Sequence, residues 1–193
     1  MNRILTTIIT SASFVYATLA IGGIADLHFV RPSSVMAAPG PGSEMERLQK
    51  FYLGVWEYTE TYPKGPFAPN GGQNTGIYTS ELGPGGNSVI NRFHSKGPVG
   101  DFEGMLIMTW DPKEKSYKSY IFGNDFPGGI VETGNFEGDA LVFRGEMSAG
   151  DSRVSMRSKT SIDAKGIMTS EELVSMGGKP EELLVRVVAT RKP

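Results

Sequence analysis

The stretch 48-LQKFYLGVWEYTE-60 decides the fold. Its first half belongs to a helix. Met45, Leu48, Phe51 and Tyr52 recur at helical spacing over residues 44–53. Ser43 stands where an N-cap is expected, with Glu46 three residues on, the spacing of a capping box. Gly54 stops the helix, as a glycine just past a C-terminus often does. The second half switches to period two: Trp56, Tyr58 and Tyr62 alternate with Glu57, Thr59 and Thr61. One short helix therefore runs directly into a strand, with Trp56 turned inward at its base.

Downstream, strand-like runs follow at 75–82, 87–95, 102–110, 115–122, 129–136, 140–147, 152–162, 167–176 and 182–190. The breaks between them read LGPGGN, KGPVGD, DPKEK, NDFPGG, EGD, SAGD, DAKG and GGKPE. Asp-Pro starts a type I turn, and the glycines supply positive φ. Turn signals at this spacing predict consecutive hairpins and an all-β domain. About ten antiparallel strands leave two edges unless the sheet closes, and closure is the arrangement that removes them. The reading is an up-and-down antiparallel barrel with a short N-terminal helix. Leu141, Phe143 and Met147 oppose Arg144 and Glu146, and Leu183, Val185 and Val187 oppose Arg186. The 102–110 strand is apolar on both faces, so its outer face needs a cover, for which the helix, closing or flanking the barrel mouth, is the candidate.

Composition bounds the rest. The chain has 193 residues, with 25 Gly, 12 Pro, 9 Met and no Cys. Absence of cysteine rules out disulfides, thiolate metal sites and a thiol nucleophile. The net charge is −2 and the basic residues are scattered, which predicts no nucleic-acid partner and no polybasic membrane patch. Residues 1–42 differ from the remainder. Arg3 precedes an uncharged run from Ile4 to Ala25, and a spacer, 32-PSSVMAAPGPGS-43, follows. This is the pattern of an export signal, with Val35-Met36-Ala37 as a cleavage site and Val15-Tyr16-Ala17 as an earlier option. The run is also long enough to serve as an uncleaved anchor, the one route to a membrane that the sequence offers. Either form puts residues 43–193 in a secreted or periplasmic setting, with 17 basic and 20 acidic residues.

The stretch GVW resembles the Gly-x-Trp signature of lipocalins and related calycin barrels. That resemblance implies an arginine from the last strand lying across the Trp56 ring, with Arg191 the candidate ahead of Arg186. The run LGVWEYTE, the central hairpin FEGMLIMTWDPKEKSYKSYIF and the later strand FEGDALVFRGEM together resemble a family of secreted bacterial domains of unknown function. These share a lipocalin-like barrel, and the resemblance covers about residues 45–191. It implies a fold and no activity, since sites are grafted on folds.

The catalytic inventory is thin. There is no Gly-x-Ser-x-Gly elbow, no HExxH or three-His set, and no Walker loop or GxGxxG opening a helix. The clusters 83-GPGG-86 and 127-PGG-129 read as turns. His94 is the single histidine after the leader. It reads as a rim residue on the face opposite Val89, Asn91 and Phe93, because Arg92 shares its face. The alternative is a haem or metal ligand inside the barrel. No cofactor is otherwise expected. Glu60, Glu132 and Glu171 fall at positions whose parity matches an apolar face. A buried glutamate has a raised pKa and can move protons. It can equally pair with an inward arginine such as Arg157. Parity slips by one at any bulge.

Trp56, Tyr58, Phe93, Phe102, Trp110, Tyr117 and Phe143, with Met108 and Met147, form the aromatic and flexible set that would line either a cavity or a packed core. Loop 63-PKGPFAPNGGQN-74 is long enough to act as a lid. The leading functional expectation is an exported barrel holding a small apolar or amphipathic ligand. Its expected lining residues are Trp56, Tyr58, Glu60, Phe93, Met108, Trp110 and Arg157. The alternatives are an enzyme working through a buried glutamate and a solid-cored envelope interaction domain.

Overall fold

A computed structural model describes residues 42–193 except 127, 150 and 151. The expected export leader lies outside the described residues. The helix α1 spans Ser43–Tyr52. Five strands follow: β1 Gly54–Tyr62, β2 Gly72–Leu82, β3 Ser88–Gly97, β4 Gly100–Asp111 and β5 Ser116–Gly123. Five more complete the chain: β6 Ile130–Glu137, β7 Ala140–Ala149, β8 Ser152–Ile162, β9 Ile167–Met176 and β10 Glu182–Arg191. Each strand pairs antiparallel with the next, and β1 pairs with β10, so the sheet closes into a ten-stranded barrel with no open edge.

The helix-to-strand junction forms as the sequence predicts. Gly54 adopts φ 121°, a conformation that disfavours any side chain. The helix start is different. Gly42 occupies the N-cap position, and the Ser43 hydroxyl donates to Glu44 Oε2 rather than capping the backbone.

The helix does not cover the outer face of β4. It lies across one end of the barrel and plugs it. Met45, Leu48 and Tyr52 pack with the inward residues Trp56, Val89, Met108, Tyr117, Leu141, Phe143, Met168 and Ala189. Polar ties fix the plug to the surrounding rim. Tyr117 Oη donates to Glu44 O at 2.8 Å, Gln49 Nε2 to Gly86 O at 2.8 Å and Arg47 Nη2 to Gly138 O at 2.6 Å. The Arg47 guanidinium also stacks on Phe136, 3.8 Å from the ring centroid. Meanwhile Met105 and Ile107 of β4 stay half-buried on the outside, beside the exposed Tyr120 and Phe122 of β5.

A second apolar cluster lies toward the opposite end: Ile130, Val154, Met156 and Val174, with Ile121, Phe126, Met147, Met176 and Leu184 around them. Leu184 reaches it because a bulge between Leu183 and Val185 interrupts the β9–β10 register. The same bulge leaves Leu183 exposed, although alternation along β10 predicts it inward with Val185 and Val187.

Three interior aromatics lie over glycines of a neighbouring strand. Tyr58 sits opposite Gly76, Phe93 opposite Gly104 and Phe143 opposite Gly134. A Cβ on Gly76 would come within 2.6 Å of Tyr58 Cζ, and one on Gly134 within 2.7 Å of Phe143 Cδ1. The missing side chains are the space into which these rings fold.

Candidate ligand cavity inside the barrel

Between the two apolar clusters the barrel is not filled. It holds a cavity of about 220 Å³. Its walls include Tyr52, Tyr58, Tyr78, Phe93, Leu106, Met108, Ile121 and Phe143, and into it project Glu60, Glu132 and Glu172. Alternation explains the placement. Glu60 of β1 shares a face with Trp56 and Tyr58, Glu132 of β6 with Ile130 and Phe136, and Glu172 of β9 with Met168 and Val174.

The three carboxylates are not equivalent. Glu60 accepts hydrogen bonds from Ser95 Oγ at 2.7 Å and Tyr62 Oη at 3.2 Å. Burial raises its pKa, and these two donors partly offset the rise. Glu132 is 4% exposed, opposite Ser119 and Gly145. Burial pushes it up to about 8, and the charge of Glu172 adds to the effect. Glu172 is pushed up to about 7, first by burial, then by the charges of Asp125 and Glu60. Desolvation disfavours a charged carboxylate, and like charges compound it. Elsewhere on the wall, Tyr78 Oη reaches Met168 Sδ at 2.9 Å, Thr160 and Ser170 share a bond of 2.9 Å, and Ser80 is bonded to Asn91. Tyr58 Oη and Ser119 Oγ are buried with no partner.

Four of the seven residues expected to line a site do so: Tyr58, Glu60, Phe93 and Met108. Trp56 does not. It is buried in the helix-end cluster, its Nε1 donating to Tyr52 O at 2.8 Å. Trp110 packs edge-on against Tyr117 at 4.9 Å beside the same plug. Arg157 is on the outside of β8, where its Nε donates to Glu181 at 3.0 Å. The carboxylate of β9 that faces inward is Glu172. Glu171, the one suggested by parity with Ile167 and Leu173, points out and pairs with Arg186. His94 is also on the outer face, with Nε2 2.7 Å from Asp101 Oδ1, so a haem held through it would lie outside the barrel. The loop after β1 contributes nothing to the cavity walls. Its Pro63–Ala68 segment instead lines a separate outer pocket with Val174, Met176, Leu183 and Leu184. Sequence reasoning missed Tyr52, Tyr78, Ser119 and Glu172. For Tyr78 and Ser119, alternation along β2 and β5 carried the signal.

No family model matches the chain, and no curated protein does. Solved structures do. Rv2717c from M. tuberculosis superposes with a TM-score of 0.59 at 11% identity, covering 79% of this chain and 99% of that one. The S-type phycobiliprotein lyase CPES from Guillardia theta gives a TM-score of 0.47 at 8% identity, covering 78% and 93%. Rv2717c is a lipocalin-like ten-stranded barrel, and this chain shares that fold. The resemblance to a secreted family of unknown function rests on its motifs alone.

Proposed function

We propose that this protein is an exported barrel that binds a small amphipathic molecule in its interior. The observation that carries the reading is the cavity itself. A barrel plugged at one end by α1 keeps about 220 Å³ unfilled beyond the plug. Its walls combine aromatic and aliphatic side chains with a few placed polar groups, the usual make-up of a ligand pocket. Packed interiors seldom leave such space, because empty volume forfeits contacts. The volume falls below the roughly 300–1,000 Å³ of drug-sized pockets, so the ligand is small. Export is supported by the leader pattern of residues 1–42.

The test is a comparison of native and denaturing mass spectra of the protein recovered from its own export. A discrete mass lost on denaturation is the expected result, and the same spectra locate the leader's end. A bare polypeptide that takes up nothing from a small-molecule extract would sink the carrier reading.

A second reading is favoured by one observation. Glu132 sits in the cavity wall, held near pKa 8 with no side-chain hydrogen bond to offset its burial. A carboxyl poised there can act as a general acid or base at neutral pH. An enzyme that moves a proton on a small bound substrate would convert it. Turnover lost in Glu132→Gln with binding retained distinguishes this reading from the carrier.

A further inference from the structure

We propose that the cavity selects an organic cation, a protonated amine carried on a small apolar body. This rests on the carrier reading above and names the class of its ligand.

The charge distribution carries the argument. Glu60, Glu132 and Glu172 enter one cavity, and no lysine, arginine or histidine lines it. The barrel order sets their arrangement. Glu60 and Glu172 stand on β1 and β9, the two strands flanking β10, at the levels of Val187 and Val185. Glu132 stands on β6, five strands round the ring from β1, and so on the opposite wall. A ligand between these walls has carboxylates on two sides of it. Asp125, in the β5–β6 loop, is near enough for its charge to act on both Glu60 and Glu172. Acidic groups therefore run from the loop end inward.

Two independent observations point to a missing partner. Ser119 Oγ is buried, lines the cavity and has no hydrogen-bond partner, and the Tyr58 hydroxyl, beside Ser95, is buried without a well-formed one. Tyr58 is 6% exposed and Ser119 0%. Buried polar groups are normally satisfied, and an orphan at a cavity wall is a place for a ligand's polar group or an ordered water. An ammonium brings donors only, which suits a wall whose carboxylates and hydroxyls can all accept. The aromatic walls add to the preference, since the faces of Tyr58, Tyr78 and Phe93 attract cations.

Other occupants fit less well. A fatty acid or phosphate would bring its charge to a wall that carries three acidic groups and no lysine, arginine or histidine. A purely apolar molecule would leave the carboxyls and both hydroxyls desolvated without compensation. A metal ion needs converging ligands, and among the described residues no group of three or more acidic or histidine side chains is placed to hold one. The carboxylates are spread around the wall, which suits an extended organic cation.

Linkage makes the inference measurable. The groups facing the ligand are Glu60, Glu132 and Glu172 on the walls, Asp125 at the loop end, and the phenols of Tyr52, Tyr58 and Tyr78, whose pKa values burial raises further from neutrality. A bound cation favours the ionised carboxylates, so binding expels protons.

The experiment is calorimetry with three probes of one size: 2-phenylethylamine, its neutral counterpart 2-phenylethanol, and phenylacetate. Titrations of the amine are repeated in buffers of different ionisation enthalpy. The amine is expected to bind about tenfold or more tighter than the alcohol, with net proton release. Its affinity is expected to rise at least about tenfold from about pH 6 to about pH 8.5. Glu132→Gln and Glu172→Gln are expected to weaken it by a similar factor, and unchanged thermal midpoints or higher ones exclude unfolding as the cause. Proton release by the unmodified protein gives a readout independent of the variants. Equal affinity for amine and alcohol, or tighter binding of phenylacetate, overturns the cation and leaves the pocket standing. Absence of binding by all three overturns both.

Discussion

The Arg191 guanidinium lies over the Trp56 ring, 4.5 Å from its centroid, and ties the last strand to the first turn of the barrel. Register explains the meeting, because Trp56 and Arg191 are direct partners across β1 and β10. The same guanidinium donates to the carbonyls of Lys50 and Phe51, both at 3.3 Å. Those belong to the last turn of α1, where unpaired carbonyls and the negative end of the helix dipole favour a cation. One side chain therefore fastens plug, first strand and last strand. Arg191→Ala is expected to cost about 1–2 kcal/mol, the sum of a cation–π contact and a helix-end interaction. Arg191→Lys keeps the charge but not the flat stack, and recovers less than half of the loss. Urea denaturation of the three proteins measures both. Equal stability of all three would show the contact to be incidental.

Leu48 is completely buried, at the centre of the plug. It has no polar role, so Leu48→Ala isolates the packing of helix against barrel. The loss is expected at about 2–5 kcal/mol, as for large-to-small changes in a core. Because α1 seals only one end, the barrel's far cluster should keep its hydrogen-exchange protection while amides at the starts of β1, β3 and β5 lose theirs. Uniform loss of protection along all ten strands would contradict a separable plug.

Tyr58 depends on the emptiness of Gly76. A methyl there meets the tyrosine ring and the His94 carbonyl at once. The ring is then displaced into the cavity, and the neighbouring backbone cannot yield. Gly76→Ala is expected to destabilise by about 1–3 kcal/mol, the range of overpacked cores. Tyr58→Leu should return part of that when combined with it, so the two effects do not add. A double-variant cycle in denaturant settles the matter, and strict additivity would refute the ring-over-glycine account.

Much of this architecture was readable from local chemistry. The switch from period 3.6 to period 2 at Gly54 locates the plug and first strand, and the turn residues place all ten strands. What alternation reveals is which face a residue takes. It does not reveal its level along the barrel axis. Trp56 and Trp110 do turn inward or toward the end as their parity suggests, but they sit in the helix-end cluster, below the cavity. Arg157 stands on the outer face for a plainer reason. Its neighbours Val154 and Met156 define the buried face of β8, and Arg157 belongs to the other. Parity points to Glu171 rather than Glu172 because β9 carries apolar residues on both faces, Ile167 and Leu173 outside, Met168 and Val174 inside. The bulge at Leu184, which resets the facing register on β10, has no turn residue to announce it. The orphaned hydroxyls of Tyr58 and Ser119 are properties of the closed barrel and have no counterpart in sequence.

The cavity carboxyls make stability depend on pH in a direction opposite to that of ordinary surface acids. Burial pushes Glu132 up to about 8 in the folded chain, from the ordinary glutamate value of 4.5. Between those values the folded chain holds a proton that the unfolded chain releases. Stability is therefore fully present below about pH 4.5 as far as this group is concerned, and falls as pH rises through about 8. Glu172, near 7, falls over the lower part of the same window. The expected slope is about 1.4 kcal/mol lost per pH unit for each group while it remains protonated only in the folded state. Glu132→Gln keeps the shape and removes the titration. It should flatten the profile between about pH 5 and about pH 8 and leave the variant more stable than the parent at pH 8. Saturation with the amine probe should flatten it too, by supplying the charge that the ionised carboxyls lack. Thermal midpoints across that range check all three curves, and a parent profile that rises with pH would refute the assignment of Glu132 as buried and uncompensated.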